Sequence, residues 1–149
     1  MPRTSSYFAY GSNLHFPQLQ ERAPSARALG VAQLPGYRLA FTRKSTRWNG
    51  LAADVVPDPT ASVYGALYSL HVEDLAGLDR SEFQGIGYRR VSVEPIFAST
   101  GAPITAFTYE VINRQPEGKP PPAYLARIIE GARATGLPAS WLEVLDTFN

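Results

Sequence analysis

The stretch that most constrains this chain is Ser6-Tyr7-Phe8-Ala9-Tyr10-Gly11-Ser12-Asn13-Leu14. Residues 6–10 are apolar and aromatic without a turn residue, and read as a short buried strand. The strand runs directly into Gly11-Ser12-Asn13, residue types that favour turns and leave backbone N–H groups unpaired. Successive free N–H groups in a turn form a concavity suited to an oxyanion or a carboxylate. A strand holds such a turn on a rigid element, as a binding site requires. The same residues also make an ordinary strand-end turn, so the rest of the chain has to decide between the two.

At 149 residues, the length predicts a single domain over 1–149 with a core of its own. A short helical turn over 17–22 follows, with Pro17 near its start. Strands are expected at 26–34 and 37–42 with a Pro35-Gly36 turn between them. An Asn49-Gly50 turn precedes a strand at 51–56, which Pro57-Asp58-Pro59 ends. The continuous apolar run at 63–70 reads as a central strand. Val72, Leu75 and Leu78 mark one face of a short helix. Residues 88–97 and 104–111 read as a hairpin connected through Ser99-Thr100-Gly101. After a stiff, proline-rich loop at 115–122, Pro122 suits a helix start. Tyr124, Leu125, Ile128, Ile129 and Ala132 form that helix's apolar stripe, and Gly136 is its stop. Trp141, Leu142, Leu145 and Phe148 make a last stripe. Short strands followed by two closing helices give an α+β fold with an antiparallel-rich or mixed sheet.

The segment Tyr10-Gly11-Ser12-Asn13-Leu14, placed right after a short N-terminal strand, resembles the hallmark of the gamma-glutamylcyclotransferase-like (AIG2-like) family. Leu78-Asp79-Arg80-Ser81-Glu82 resembles that family's Leu-Asp-x-x-Glu segment, whose glutamate is the acid/base. Tyr109, in Phe107-Thr108-Tyr109, matches the family's late-strand tyrosine, and Tyr124 matches the tyrosine after its proline-rich loop. Ile128 to Pro138 is similar to the family's C-terminal helix and its Gly-Leu-Pro stop. The resemblance runs from Tyr7 to about Leu145, nearly the whole sequence. One departure is local: where glycine commonly follows the glutamate, Phe83-Gln84-Gly85 stands.

The resemblance implies a small, partly open barrel of mixed and antiparallel strands with flanking helices. It implies cyclisation of a gamma-glutamyl small molecule to 5-oxoproline, with Glu82 catalytic and Tyr10, Gly11, Ser12, Asn13, Leu14, Tyr109 and Tyr124 binding the substrate. The reaction needs no metal or cofactor. Composition agrees on that point, because there is no Cys and only two His, His15 and His71. Taken alone, Glu82 would read as a solvated helix-end glutamate. Arg89 or Arg90 could pair a substrate carboxylate, although a solvated strand face is the simpler reading; His15 reads as a flanking polar residue. The alternative from another class is a non-catalytic binding module for a gamma-glutamyl-like metabolite. A nucleic-acid module is disfavoured by a net charge of only +1. The sequence shows no apolar run of membrane-spanning length and no apolar signal core. No membrane partner and a cytoplasmic location are therefore expected. The leaving amine and the oligomeric state stay open.

Overall fold

The computed structural model describes residues 3–82 and 87–149. β1 (Thr4–Ala9) leads through a 3-10 turn (Ser12–Leu14) into α1 (Phe16–Arg22). Two long strands follow, β2 (Arg27–Ser45) and β3 (Gly50–His71), which pair antiparallel as one tall hairpin. Asn49 takes a left-handed φ of 55° at its tip, as the Asn-Gly pair predicted. A 3-10 turn (Val72–Asp74) then enters α2 (Leu75–Ser81). β4 (Tyr88–Val93), β5 (Ile96–Phe97) and β6 (Ala106–Val111) complete the sheet, and α3 (Pro122–Thr135) and α4 (Ala139–Asp146) close the chain.

The strands form one six-stranded sheet in the order β4-β6-β1-β3-β2-β5. It is mixed: β1 runs parallel to β6, and the other pairs are antiparallel. β4 and β5 lie at opposite edges although only Glu94 and Pro95 separate them. Three residue steps span at most about 11 Å, so the sheet must curl until its edges nearly meet. Among the described residues no ladder joins those edges, which leaves the barrel partly open.

Two expectations change here. Pro35-Gly36 and Pro57-Asp58-Pro59 do not end strands; β2 and β3 run through them. The ladder is irregular where they face each other, with Pro35 opposite Ser62 and Tyr37 opposite Pro57. Gly36 absorbs the bulge at φ +85°, and proline loses least where the ladder is already interrupted. The 88–97 strand, in turn, breaks at Glu94-Pro95. β4 pairs with β6, while β5 crosses to the far edge and pairs with β2.

α3 positions the turn that follows β1. Its N-terminus starts on Pro122, and Gly136 ends it in the left-handed region at φ +82°. Tyr124, Leu125, Ile128 and Ala132 are buried on its inner face. At Gly131 the helix lies directly on the loop: a Cβ there would stand 2.4 Å from the Leu14 carbonyl carbon and 2.5 Å from the His15 nitrogen. Both contacts are backbone, so neither can rotate away. Among the described residues, no helix is long and apolar enough to cross a membrane.

Gly131→Ala should therefore push α3 off the loop and destabilise the protein by about 1–3 kcal/mol, as overpacking does. Differential scanning calorimetry should record a fall in Tm of roughly 2–10 °C.

Candidate active site

β1 pairs with β3 only as far as Ala9, opposite Ala66. Beyond Ala9 the chain leaves the sheet, and the first half of β3 is left facing the end of β6 without a strand between them. Phenolic side chains fill that gap. Tyr124 Oη accepts the Ala53 N–H at 2.9 Å, and Tyr88 Oη donates to the Ala53 carbonyl at 2.7 Å. Tyr10 Oη donates to the Tyr109 carbonyl at 2.6 Å. Backbone groups that a neighbouring strand would have paired are paired by hydroxyls instead. The space among them is a narrow polar cleft of about 30 Å³. Tyr7, Gly11, Ser12, Asn13 and Glu82 line it together with those tyrosines.

The turn over Gly11–Leu14 is anchored by its own side chains. In a 3-10 turn the leading N–H groups have no intrahelical partner, and here those belong to Ser12 and Asn13. The Leu14 N–H is already given to the Gly11 carbonyl at 3.0 Å, and the Leu14 side chain is buried in the core. Gly11 has φ −114°, so its role is space: a Cβ there would lie 3.3 Å from Ala53 Cβ and 3.7 Å from the Tyr124 hydroxyl.

Asn13 is the centre of the site. Its Nδ2 donates to Tyr7 Oη at 3.0 Å and to Glu82 Oε1 at 3.2 Å. Its Oδ1 accepts from Gln18 Nε2 at 3.0 Å and from Arg22 Nη1 at 2.9 Å. All four bonds that an amide side chain can make are used, so its orientation is fixed. Arg22 also stands 3.8 Å from the Glu82 carboxylate. Glu82 itself follows the last turn of α2, its N–H bonded to the Leu78 and Asp79 carbonyls. Its side chain is only 16% exposed. Burial pushes its carboxyl above the ordinary value, and Arg22, the Asn13 bond, Arg47 and Arg43 each pull part of the way back.

The cleft opens, past Ser12, Glu82, Tyr88 and Tyr124, into a groove of about 610 Å³. Its outer wall is the tip of the β2–β3 hairpin, with Arg43, Arg47 and Trp48. Trp48 packs on Tyr124 with ring centroids 5.0 Å apart, and the Arg127 guanidinium lies 5.4 Å from the Trp48 ring centroid. Among the described residues, no group of three or more His, Asp or Glu is placed to hold a metal ion.

Comparison with known proteins gives the chain's family. The AIG2-like family profile matches residues 62–145. Gamma-glutamylcyclotransferase of Mus musculus is 32% identical over 146 residues, covering 95% of this chain and 77% of the mouse protein. The Homo sapiens gamma-glutamylcyclotransferase is 32% identical over 143 residues, covering 93% of this chain and 76% of the human one. A solved gamma-glutamyl cyclotransferase superposes with a TM-score of 0.92 at 30% identity, over 99% of this chain and 89% of its own. The chain belongs to the AIG2-like, gamma-glutamylcyclotransferase family.

Within this family member, the residues singled out from sequence converge on one cleft: Tyr10, Gly11, Ser12, Asn13, Glu82, Tyr109 and Tyr124 all line it, while Leu14 lies behind it in the core. The Tyr109 hydroxyl donates to Asp79 Oδ1 at 2.5 Å, and the Tyr124 hydroxyl is used on Ala53. Arg89 and Arg90 pair with Glu110 and Asp79 respectively. Phe83, with Gln84, Gly85 and Ile86, lies outside the described residues. The sequence reading did not single out Tyr7, Gln18, Arg22, Tyr88 or the hairpin arginines. For Gln18 and Arg22 a signal existed: they stand four apart on one face of α1.

The raised Glu82 carboxyl has a consequence for stability. The folded protein holds that proton more tightly than the unfolded chain, so the contribution is full below the ordinary value of 4.5 and is lost as pH rises through the raised one. Glu82→Gln should accordingly melt above wild type near pH 7, with the difference closing toward about pH 4. Paired melting curves across that range check it.

Proposed function

We propose that this protein is a gamma-glutamylcyclotransferase, converting a gamma-glutamyl amide or dipeptide to 5-oxoproline with release of a free amine or amino acid. The observation that carries the reading is the setting of Glu82: a largely buried carboxylate of raised proton affinity at the junction of a polar cleft and a basic groove, beside the leading N–H groups of the Gly11–Leu14 turn. Family membership at 32% identity to two gamma-glutamylcyclotransferases supports it.

The nucleophile is the substrate's own α-amine. Folding the glutamyl chain so that this nitrogen meets the γ-carbonyl is an orientation problem that a narrow cleft is suited to solve. The amine attacks as its free base; as the new N–C bond forms and an oxyanion develops on the γ-carbonyl, Glu82 takes the proton that the attacking nitrogen sheds. The Ser12 and Asn13 N–H groups are the donors available to it. The tetrahedral centre then collapses: the bond to the leaving nitrogen breaks, and Glu82 returns the proton to it. No water is consumed and no electrons are exchanged. A raised carboxyl suits both halves of this transfer, because a base close to the operating pH both accepts and gives up a proton readily.

Asn13 holds Glu82 in place, and Arg22 limits how far burial raises it. Chemistry at Glu82 thus requires the α1 face that carries Gln18 and Arg22, as well as the loop.

Glu82→Gln should lower turnover by about 10²–10⁴-fold, the usual contribution of a general base, with ligand affinity largely kept. Assay of 5-oxoproline release from a panel of gamma-glutamyl compounds checks this, and wild-type turnover in the variant would place the base elsewhere. A wild type that binds such compounds and releases no 5-oxoproline would make the site a binding module. Activity should persist after exhaustive dialysis against EDTA; loss restored by a divalent metal would contradict the proposed chemistry. Gly11→Val sets a branched side chain against Ala53 and the Tyr124 hydroxyl, and should raise KM and lower kcat in a protein that still folds.

A further inference from the structure

A catalytic carboxylate has to stand within a fraction of an ångström of its working position, yet little holds the Glu82 side chain. The Asn13 bond is 3.2 Å long, and Arg22 is 3.8 Å away. Position therefore has to come from the helix that carries it. α2 is seven residues long, too short to be stable by itself, and it is fixed to its neighbours along its length. Its approach is tied by Asp74, which accepts the Ser25 N–H and the Ser25 hydroxyl. At Gly77 it rests on the end of α1: a Cβ there would stand 2.9 Å from the Arg22 carbonyl oxygen. Leu78 is buried in the core. The last turn, which delivers Glu82, is tied by Asp79.

Asp79 uses both of its carboxylate oxygens on the sheet. Oδ1 accepts from the Tyr109 hydroxyl of β6 at 2.5 Å, and Oδ2 accepts from Arg90 Nη2 of β4 at 3.0 Å. Arg90 and Tyr109 stand opposite each other in the β4–β6 ladder, so their side chains rise from one face of the sheet as a pair. Asp79 is only 17% exposed, and bonds from a phenol and a guanidinium to one carboxylate make a strong, directional tether.

The tether closes a ring of contacts. Tyr109 packs edge-on against Tyr7, with ring centroids 5.9 Å apart. Tyr7 accepts from Asn13, Asn13 donates to Glu82, and the Glu82 N–H donates to the Asp79 carbonyl at 3.1 Å. Glu82 is thus registered from both ends, its carboxylate by the Gly11–Leu14 turn and its backbone by Asp79. A phenol has one proton to give, and Asp79 takes that of Tyr109. We propose that Asp79 is a positioning residue for Glu82: with Tyr109 and Arg90 it fastens the last turn of α2 to the sheet, and the Tyr109 hydroxyl serves this tether instead of the substrate. This rests on the reading of Glu82 as the base of a cyclotransferase and adds what holds that base.

The test follows 5-oxoproline release from gamma-glutamyl-alanine, well below each variant's Tm, in Asp79→Ala, Asp79→Asn, Tyr109→Phe and the Asp79→Ala/Tyr109→Phe double variant. A displaced base loses rate and keeps affinity. Asp79→Ala and Tyr109→Phe should therefore each lower kcat by about ten- to a hundredfold, the scale of an ångström's misplacement, with KM little changed. Both cut the same bond, from its two ends, so the double variant should be no slower than the slower single one. Asp79→Asn keeps an oxygen for the Tyr109 hydroxyl and should recover most of the kcat that alanine loses. Losses that multiply in the double variant, or an unchanged kcat in either single one, overturn the tether. If Asp79→Ala fails to fold, Tyr109→Phe decides: a lower kcat at constant KM supports the tether, and a higher KM at constant kcat makes the hydroxyl a substrate contact and overturns it. Glu82→Gln, assayed beside them, separates these failures from that of the underlying reading. If it keeps wild-type turnover, or if the wild type releases no 5-oxoproline, the base itself is misassigned and this inference falls with it.

Discussion

The site exists because β1 is short. It pairs with β3 over Thr4 to Ala9 and then leaves the sheet, although β3 extends to Gly50. A sheet that loses a strand part-way along exposes backbone donors and acceptors inside the fold, and each would be costly if left unpaired. Here the hydroxyls of Tyr10, Tyr88 and Tyr124 take the missing strand's hydrogen-bonding positions. Side chains fill such a gap less completely than a strand would, and the remainder is the cleft. The departing chain then has to turn at once, which places the leading N–H groups of a 3-10 turn at its edge. Fold and site follow from the same termination.

The second constraint is that the turn is clamped from both sides. Gly131 lets the α3 backbone rest on Leu14 and His15, and Gln18 and Arg22 on α1 hold Asn13 from beneath. A loop would ordinarily be the most mobile part of a domain. This one is backed by helix and by a saturated amide side chain, which suits the proposed cyclisation, whose main demand is orientation.

How much of this could be read from the residues depends on distance along the chain. β1, the helical turn at α1, the stripe of α3 and its Gly136 stop all rest on local periodicity and local turn chemistry, and these were legible. The tall β2–β3 hairpin was not. Its prolines look like terminators, and only the ladder, which pairs Pro35 with Ser62 and Tyr37 with Pro57, shows that they sit at an irregularity. The split of residues 88–97 between opposite sheet edges is likewise a property of the curled sheet rather than of the segment. In the site, the motif residues were legible as a group through family resemblance. Asn13's side-chain role and the part played by Arg22 were not, because nothing in a sequence states which atom an amide turns toward a carboxylate. Tyr109 and Tyr124 were legible as positions, whereas the use of their hydroxyls on Asp79 and Ala53 required coordinates.

Two of the carboxylates near this cleft, Asp54 and Glu82, are held very differently, and the contrast between them bears on the proposed role of Glu82. Asp54 is fully buried and receives three short bonds: from Thr42 Oγ1 at 2.8 Å, the Val111 N–H at 2.9 Å and Arg114 Nε at 2.7 Å. Those are the lengths of strong charged hydrogen bonds, and they tie β2, β3 and β6 together. Glu82 has one longer bond, 3.2 Å from Asn13, and a guanidinium at 3.8 Å, too far to be a hydrogen bond. A carboxylate locked like Asp54 has no freedom to turn toward a new partner, and its work is structural. A carboxylate provided for as sparingly as Glu82 keeps lone pairs available and a raised affinity for a proton. A second strong donor at Glu82 would steady the fold, but it would occupy the place that the substrate nitrogen reaches in the proposed reaction. The incomplete satisfaction of Glu82 is thus the physical basis for assigning it, and not Asp54, the role of base.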